Sequence, residues 1–374
     1  MGTHPSSPAF VSREGHDQGI AGRSLLSILE EVPEYAGSIH VMQAFGKDLP
    51  FLFKVLSIDQ PLSIQSHPDK ELAGKLHKED PLNYPDDNHK PEMAIALTAF
   101  EALCSFRPWN EILEILSMFP QIREIVTEPI YQLMIQANTH EAQKESLRQC
   151  FSRILCSDAE VVSQTLFSLE TEMESLHLNH KSHLVSQLQH LFKKVYSFYP
   201  KDVGCICALL LNYIKLKPGE AIFLKANEPH AYLSGDCMEC MAKSDNVIRA
   251  GFTPKFKDVK QLYASLSYES ISVSELVIQP IDHLDGITST YLTPVQEFAV
   301  DRIYFNSDGA LCNQFVFPAK HGGSLLIVLK GKFHVDGLKI KAKAGGVYFI
   351  PAMLTLTVVS FESELLCFRA FVNM

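Results

Sequence analysis

The sequence predicts a mainly β protein that is interrupted by an α-helical region, and three patterns support this prediction. Residues 51–67 alternate with the period of a β-strand. Residues 109–198 instead repeat their apolar side chains at helical spacing. Strand and turn signals return at residue 204 and continue to the C-terminus. The chain of 374 residues exceeds the size that one core usually fills, so we expect two or three packed units.

The first strand region carries a polar face. Ser63, Gln65 and His67 fall on one side of the alternating segment, and Leu62, Ile64 and Ser66 fall on the other. A polar face of this kind is ordinary for an antiparallel edge strand that faces solvent, but the same face could line a pocket. Periodicity alone leaves both interpretations open.

The helical region has two clear apolar stripes, formed by Ile112, Leu113, Ile115, Leu116 and Phe119 and by Leu184, Leu188, Leu191, Phe192 and Val195. It also contains four histidines, His177, His180, His183 and His190. Lysines 181, 193 and 194 lie nearby, so we interpret these histidines as part of a solvated helix face and not as a metal-ligand set.

Strand signals resume from Gly204. The sequence 217–220 (KPGE) predicts a type II turn before a short strand, and His230 and Tyr232 then share a strand face. Three further strands are predicted at 324–329, 332–336 and 346–350, with turns at Gly331, Gly337 and Gly345-Gly346. These segments predict a second β unit at the C-terminus.

Residues 230–255 form an unusually polar stretch. Gly235 with Asp236, Asp245 with Asn246, and Gly251 favour turns, so we expect the charged side chains of this stretch to converge on a pocket.

Composition limits the partners. The net charge of −10 disfavours nucleic acid and anionic membranes, which require a basic face, but permits an anionic small molecule where cations gather. No apolar run is long enough to span a bilayer. The nine cysteines predict reduced thiols in the cytosol. Cys205 with Cys207 and Cys237 with Cys240 could form a redox pair or a sulfur metal site, although no second CxxC stands at zinc-ribbon spacing.

Zinc prefers histidine nitrogen and carboxylate oxygen as ligands. The chain offers Gln65 and His67 on one strand face, Glu92 after the turn at 85–88, and His230 on another strand. Each residue alone is a weak signal, because a single buried histidine is more often a hydrogen-bonded core residue. Spacing does not establish that they meet.

Residues 84–92 (YPDDNHKPE) and 230–255 closely resemble the two signature stretches of the type I mannose-6-phosphate isomerases. Residues 51–56 and 63–68 also look like that family. The resemblance runs through nearly the whole chain and is weakest in the helical region and the last hundred residues. Relative to the family, the chain looks as though it lacks an N-terminal segment.

The resemblance implies a cupin-like, jelly-roll β core with a helical domain and a second β domain. It implies four parts: 1–105 and 201–262 as the two parts of the catalytic domain, 106–200 as the helical domain, and 263–374 as a C-terminal cupin-like domain. Gln65, His67, Glu92 and His230 match the family's zinc ligands, with one zinc ion per chain, and Arg249 matches its catalytic arginine. The resemblance makes Cys237 and Cys240 packing thiols.

The implied reaction interconverts mannose 6-phosphate and fructose 6-phosphate through an enediolate and feeds GDP-mannose synthesis and protein glycosylation. The motif residues able to bind substrate are Ser63, Lys90, Tyr232, Asp245 and Lys255, with Lys54 as a weaker choice. Glu239 is the candidate proton carrier, with Asp245, Lys90 and zinc-bound water as rivals. Glu239 could instead orient His230.

The resemblance implies a cytoplasmic enzyme with a small sugar phosphate as its partner, and we expect a monomer. The alternative function is a truncated, inactive or unstable cupin-type metal-binding protein without turnover. A different sugar-phosphate isomerase is a further, weaker alternative.

Overall fold

The computed structural model describes residues 1–12, 19–176, 182–306, 314–338, 341–361 and 364–374. Its elements confirm the predicted class, a mainly β chain with an inserted helical domain. Across the described ranges, no helix combines the length and the apolar character needed to cross a membrane.

The first part of the chain mixes helices with strands. Its elements are α1 (Leu25–Glu31), a 3₁₀ turn (Pro33–Tyr35), α2 (Ile39–Phe45), β1 (Phe51–Ile58), β2 (Ile64–Ser66), α3 (Lys70–Glu79), β3 (Glu92–Ala96) and β4 (Phe100–Phe106). The prediction of one continuous strand over 51–67 is wrong, since residues 59–63 interrupt it. Pro61 lies in this interruption and has no N–H to donate to a neighbouring strand.

Six helices follow: α4 (Trp109–Met118), α5 (Pro120–Val126), α6 (Glu128–Gln136), α7 (His140–Leu155), α8 (Ala159–Leu176) and α9 (His183–Phe198). The predicted stripes are in the core, where Ile112, Ile115, Leu116, Phe119, Leu188, Leu191, Phe192 and Val195 are buried. His183 and His190 are exposed, as the solvated-face interpretation requires. His177, His180 and Lys181 lie outside the described residues.

The chain then returns to the β core through α10 (Gly204–Leu209), β5 (Leu211–Leu216), β6 (Ala221–Leu224), β7 (His230–Ala242), β8 (Ile248–Gly251), α11 (Val259–Ser265) and α12 (Val273–Leu276). The expectation that strands begin at Gly204 is wrong, because a short buried helix comes first. A short apolar run does not distinguish a buried helix from a strand by periodicity. The type II turn is confirmed: the Glu220 N–H donates to the Lys217 carbonyl at 2.9 Å, and Gly219 has a φ of 90°.

Strand β7 is long and bent. The predicted turn at Gly235 and Asp236 is wrong, since thirteen residues continue as one strand. Gly235 has a φ of 100°, and a Cβ there would lie 2.3 Å from the Ala99 carbonyl oxygen. Only glycine fits this close approach, which lets the strand bend from β4 toward β1 and β3.

The C-terminal β unit follows with β9 (Val277–Ile278), β10 (Ile281–Asp282), β11 (Thr288–Tyr291), β12 (Ala299–Asn306), β13 (Phe315–Phe317), β14 (Ser324–Lys330), β15 (Lys332–Val335), β16 (Lys341–Lys343), β17 (Val347–Ile350), β18 (Leu356–Phe361) and β19 (Glu364–Phe371). The three strands predicted here are confirmed. The turn glycines Gly331, Gly337 and Gly345 all have positive φ angles.

Three antiparallel sheets are built from the described strands. The catalytic sheet has the order β5-β4-β7-β3-β6-β9, and β1 and β2 also pair with β7, while β8 pairs with β2. The C-terminal unit contains the sheets β10-β11-β12-β19-β14-β17 and β13-β18-β15-β16. A shared core joins the two units, since Phe51, Phe53 and Met93 pack in one cluster with Phe298 and Phe368. This arrangement leaves the other face of the catalytic sheet to enclose a cavity.

Candidate metal centre and active site

Three metal-binding side chains converge inside the catalytic sheet. His67 follows β2, Glu92 begins β3 and His230 begins β7, and the strand pairings bring these ends together. Glu92 Oε1 lies 3.3 Å from His67 Nε2, and Glu92 Oε2 lies 3.6 Å from His230 Nε2. All three residues are buried, and one ligand atom from each lies within 4.8 Å of the others.

The hydrogen bonds of the two histidines define which ring nitrogen is free. His67 Nδ1 lies 2.7 Å from the Asn246 carbonyl oxygen, and His230 Nδ1 lies 3.0 Å from the Glu228 carbonyl oxygen. A carbonyl only accepts, so both Nδ1 atoms donate, and in a neutral ring Nε2 then carries a lone pair. Two such nitrogens therefore face the Glu92 carboxylate, and His230 Nε2 has no hydrogen-bond partner among the described residues.

Ionisation in this cluster also suits a cation. Burial lowers the pKa of His67 to about 4, so its ring is neutral at neutral pH. Burial alone would raise the pKa of Glu92, but the neighbouring His67 and Lys90 outweigh it and hold this pKa well below its ordinary value. Lys90 Nζ lies 3.4 Å from Glu92 Oε1, and a metal ion between this carboxylate and the two ring nitrogens would satisfy all three groups at once. Two imidazoles and one carboxylate are ligands that zinc prefers.

Gln65 lies beside this cluster. Its amide nitrogen is 3.4 Å from His67 Nε2, and its Oε1 accepts a hydrogen bond of 2.9 Å from the Ser63 hydroxyl. An amide turned by 180° presents its oxygen to the cluster instead, and Ser63 can accept as well as donate. Gln65 can therefore supply a fourth, neutral oxygen ligand.

A cavity of about 180 Å³ opens next to these residues. It is lined by Lys54, Leu56, Leu62, Ser63, Gln65, Lys90, Glu92, His230, Ala231, Tyr232 and Glu239. The expected pocket face of Ser63 and Gln65 thus borders this cavity. Leu62, which strict alternation assigns to the opposite face, also lines it because β2 begins only at Ile64.

Glu239 and Lys54 form the far wall. They are opposite each other in the β1 and β7 register, and Lys54 Nζ lies 2.7 Å from Glu239 Oε2. Burial, reinforced by the charge of Glu92, raises the pKa of Glu239 despite this ion pair. Burial likewise raises the pKa of Tyr232, whose hydroxyl has no hydrogen-bond partner among the described residues. The alternative that Glu239 orients His230 is wrong, because the Glu228 carbonyl binds that ring.

The remaining predicted site residues lie farther out. Gln65 is the register partner of both His230 and Arg249, so all three side chains project from the same face. Burial lowers the pKa of Arg249, and no carboxylate pairs with it in the described part of the chain. Asp245 is exposed and accepts a hydrogen bond of 3.2 Å from the Ser6 hydroxyl. Lys255 is exposed as well, and these last three residues do not line the cavity.

Two features of the site were not predicted from the sequence. The carbonyls that fix the histidine rings belong to the backbone, for which side-chain type gives no signal. Asn246 is held in place because its amide donates to the Asp86 and Asn88 carbonyls at 2.7 and 3.0 Å. The pairing of Lys54 with Glu239 was also missed, although a lysine within the apolar strand FLFKVLSI could have indicated a polar interior partner.

The two cysteines inside the polar stretch are buried free thiols. Burial raises the pKa of both Cys237 and Cys240, which disfavours the thiolate that metal binding or redox exchange requires. Their interpretation as packing thiols agrees with this environment.

Comparisons with known proteins identify relatives of the whole chain. Residues 1–109 match the family model "Phosphomannose isomerase type I, catalytic domain", and residues 123–211 match "Phosphomannose isomerase type I, helical insertion domain". Mannose-6-phosphate isomerase of Saccharomyces cerevisiae is 41% identical over 392 residues, which cover 100% of this chain and 88% of the yeast protein. The Macaca fascicularis enzyme is 40% identical, covering 99% of this chain and 87% of its own length.

Solved structures of phosphomannose isomerases share the fold of this chain. A variant of phosphomannose isomerase from Salmonella typhimurium aligns with a TM-score of 0.82 at 31% identity, covering all of this chain and 90% of that one. A mannose 6-phosphate isomerase bound with zinc and yttrium aligns with a TM-score of 0.81 at 29% identity and the same coverage.

Proposed function

The chain belongs to the type I phosphomannose isomerase family and is an isomerase, and from this premise we propose that it interconverts mannose 6-phosphate and fructose 6-phosphate at a bound zinc ion. The proposed ligands are Gln65, His67, Glu92 and His230. The observation that carries the proposal is the buried set of metal-binding side chains beside a cavity that Lys54 and Lys90 also line. One relative of the same fold is a zinc-bound mannose 6-phosphate isomerase.

Zinc bound there supplies a Lewis acid that polarises the sugar carbonyl without any change of oxidation state. Gln65 contributes no charge, so Glu92 is the single anion among the four ligands. The backbone carbonyls of Asn246 and Glu228 keep the two imidazoles oriented, which preserves the lone pairs on Nε2.

Glu239 is our candidate for moving the proton between C1 and C2 of the open-chain sugar. Burial raises its pKa above the ordinary carboxyl value, and a carrier works best when its pKa approaches the working pH. Lys54 keeps the carboxylate directed into the cavity. Lys90 is the remaining rival among the side chains that line the cavity.

Arg249 is proposed to stabilise the enediolate oxyanion. Its guanidinium stays charged at any working pH and has no competing carboxylate partner in the described chain. Ser63 and Lys90 can bind substrate oxygens, and Tyr232 offers a hydroxyl that has no hydrogen-bond partner within the described part of the chain. Asp245 and Lys255 lie outside the cavity, and we assign them no contact with the reacting carbons.

The wider assignment follows from the same family. We propose that the enzyme is cytoplasmic and monomeric and that it feeds GDP-mannose synthesis and protein glycosylation. The alternative of a metal-binding protein without turnover is not favoured, because the cavity holds two lysines and a buried carboxylate in addition to the metal-binding side chains.

The proposal is tested by a coupled assay on the purified, zinc-loaded chain in D₂O. We expect turnover of mannose 6-phosphate, its loss after chelation and its return with zinc. An enediolate exchanges its proton with solvent, so deuterium should appear at C2 of recovered mannose 6-phosphate. Stoichiometric zinc without turnover would reject the proposal, and deuterium at C2 would support proton transfer over a hydride shift, which retains the original hydrogen.

The role of Arg249 gives a sharper test. Arg249→Ala should retain zinc but lose about 10²- to 10³-fold in kcat, as expected for one oxyanion-stabilising donor. Arg148→Ala is the matched control, because Arg148 pairs with Glu145 on an exposed helix face of the helical domain. Arg148→Ala should keep wild-type kcat, and equal kcat values for the two variants would remove Arg249 from the mechanism.

A further inference from the structure

The C-terminal β unit contacts the segment that carries Lys90 and Glu92 through a half-buried hydrogen bond between His89 and Glu297. Glu297, in the loop between β11 and β12, places Oε1 2.6 Å from His89 Nε2. The side chains are only 13% and 20% exposed, so water competes weakly for this contact. A carboxylate only accepts, so His89 Nε2 carries the donated proton.

The loop that presents Glu297 is held rigidly. The Thr293 hydroxyl donates to the Phe298 and Val295 carbonyls at 2.5 and 3.1 Å. The Asn373 amide donates to the Thr293 and Val295 carbonyls at 2.8 and 2.9 Å. Phe298 itself is fully buried in the core shared by the two β units. The Glu297 carboxylate is therefore preorganised by the C-terminal unit before any substrate arrives.

His89 belongs to the segment that carries two functional side chains, Lys90 and Glu92. On the catalytic side this segment is fixed through the Asn88 amide, which donates to the Lys243 carbonyl at 3.0 Å. It is also fixed through the Pro91 carbonyl, which accepts from the Ala242 N–H at 3.0 Å. His89 lies between these anchors, and its ring makes the contact with the C-terminal unit.

The charged groups around Glu297 also connect it with the segments that lead to the metal-binding side chains. Burial would raise the pKa of Glu297, but the hydrogen bond from His89 outweighs it and lowers this pKa, and the charge of Lys70 adds to the effect. Lys70 begins α3, three residues after His67, while His89 stands three residues before Glu92. The carboxylate therefore lies near both segments that lead to metal-binding side chains.

We propose that Glu297 is a positioning residue, through which the C-terminal β unit holds His89 and thereby sets the positions of Lys90 and Glu92 in the active site. Glu297 does not line the cavity, and its side-chain carboxylate lies 2.6 Å from His89 Nε2, so we expect its effect to pass mainly through His89. This inference rests on the proposed isomerase function for its kinetic readout, but its metal-binding readout does not.

The test compares Glu297→Ala, Glu297→Gln, His89→Ala and the double variant Glu297→Ala/His89→Ala. Glu297→Ala should lower kcat about tenfold, the smaller end of the range for partners of metal-site residues, with little change in KM. It should also speed zinc release to a chelator and shift the visible spectrum of the cobalt-loaded protein. Glu297→Gln should recover most of the activity, because its amide oxygen still accepts the His89 proton.

Coupling through His89 makes a separate prediction. The double variant should be no slower than either single variant, because both remove the same contact. Glu364→Ala is the control, since Glu364 pairs with Lys330 on the exposed surface of the same β unit, and it should match wild type throughout.

Two results would overturn the proposal. One is a Glu297→Ala protein that melts earlier but keeps wild-type kcat and zinc release when folded, which would make the contact purely structural. The other is full additivity in the double variant. If the wild type itself does not isomerise the sugar phosphate, the proposed function fails, and zinc release and the cobalt spectrum still decide the role of Glu297.

Discussion

The two β units of this chain use antiparallel sheets with buried interiors, yet they fill those interiors differently. The C-terminal unit packs a cluster that includes Phe315, Phe317 and Phe333, whose rings contact one another in its interior. The catalytic unit places alanines at comparable inward positions: Ala94 is opposite Glu239, and Ala102 is opposite Tyr232. Small side chains leave the space in which the charged residues meet. Architecture alone therefore does not define the site, and side-chain volume decides which unit can bind substrate.

Buried charge differs in the same way. In the C-terminal unit, Arg369 donates to the Ser324 hydroxyl at 2.8 Å and to the Pro318 carbonyl at 2.7 Å. Nearby, Lys320 Nζ lies 2.8 Å from Asp301 Oδ2. These cations have acceptors within the protein, which suits a structural role. In the catalytic unit Glu92 pairs with Lys90 at 3.4 Å, yet it also faces the ring nitrogens of His67 and His230, and His230 Nε2 has no hydrogen-bond partner among the described residues.

The largest effect is expected when a metal-binding side chain of the catalytic unit is removed. His230→Ala should lose zinc and lower kcat by at least about 10³-fold, more than the loss of one oxyanion donor. His334→Ala, on β15 of the C-terminal unit, is the control and should keep both. Zinc content by mass spectrometry and kcat by the coupled assay measure the two quantities. Equal zinc in wild type and His230→Ala would show that the ligand assignment is wrong.

The next prediction concerns the aromatic core of the C-terminal unit. Phe317→Ala should lower the free energy of unfolding by about 3–5 kcal/mol, because it removes a fully buried ring and leaves a cavity. The folded fraction should keep a kcat/KM within about twofold of wild type, since surface and core changes far from a site usually act independently. Denaturant titration and the isomerase assay test the two parts. A large fall in kcat/KM of the folded protein would mean that the C-terminal core controls catalysis directly.

The sequence predicted this contrast only in part. Long helical stripes such as that of α9 were predictable, because apolar spacing over several turns has one structural solution. The metal-binding residues required the resemblance, since His67, Glu92 and His230 lie in or directly after three strands whose pairing no local pattern encodes. The bend at Gly235 was mistaken for a turn, because glycine signals a positive φ without indicating whether the strand continues.

The contact between Glu297 and His89 could not be read from the chain either. The two residues are 208 positions apart, and the stretch 84–92 that contains His89 gives no indication of a partner at Glu297. Long-range pairing of this kind depends on how the two β units pack, which the shared core determines.

The smallest expected effect concerns the buried carboxyl group of Glu239 in the catalytic unit. Burial and the charge of Glu92 raise the pKa of Glu239 above its ordinary value of 4.5. A carboxyl whose folded-state pKa is raised stabilises the fold fully below the unfolded pKa, and this contribution is lost as the pH rises through the folded pKa. In metal-free protein, Glu239→Gln should therefore raise Tm by about 1 °C at pH 8 and leave it unchanged at pH 4. The shift is small because a given gain in the free energy of unfolding moves Tm less in a long chain than in a short one.

Glu269 supplies a control of opposite sign. The hydrogen bond from Lys144 lowers the pKa of Glu269, so its contribution is present above the unfolded pKa and is lost as the pH falls through the folded pKa. Glu269→Gln should accordingly lower Tm at pH 8. Thermal melts of both metal-free variants from pH 4 to pH 8 measure the difference. If Glu239→Gln destabilised the protein at pH 8 as Glu269→Gln does, Glu239 would be a stabilising partner of Lys54 and not a carboxyl held at a cost in stability for proton transfer.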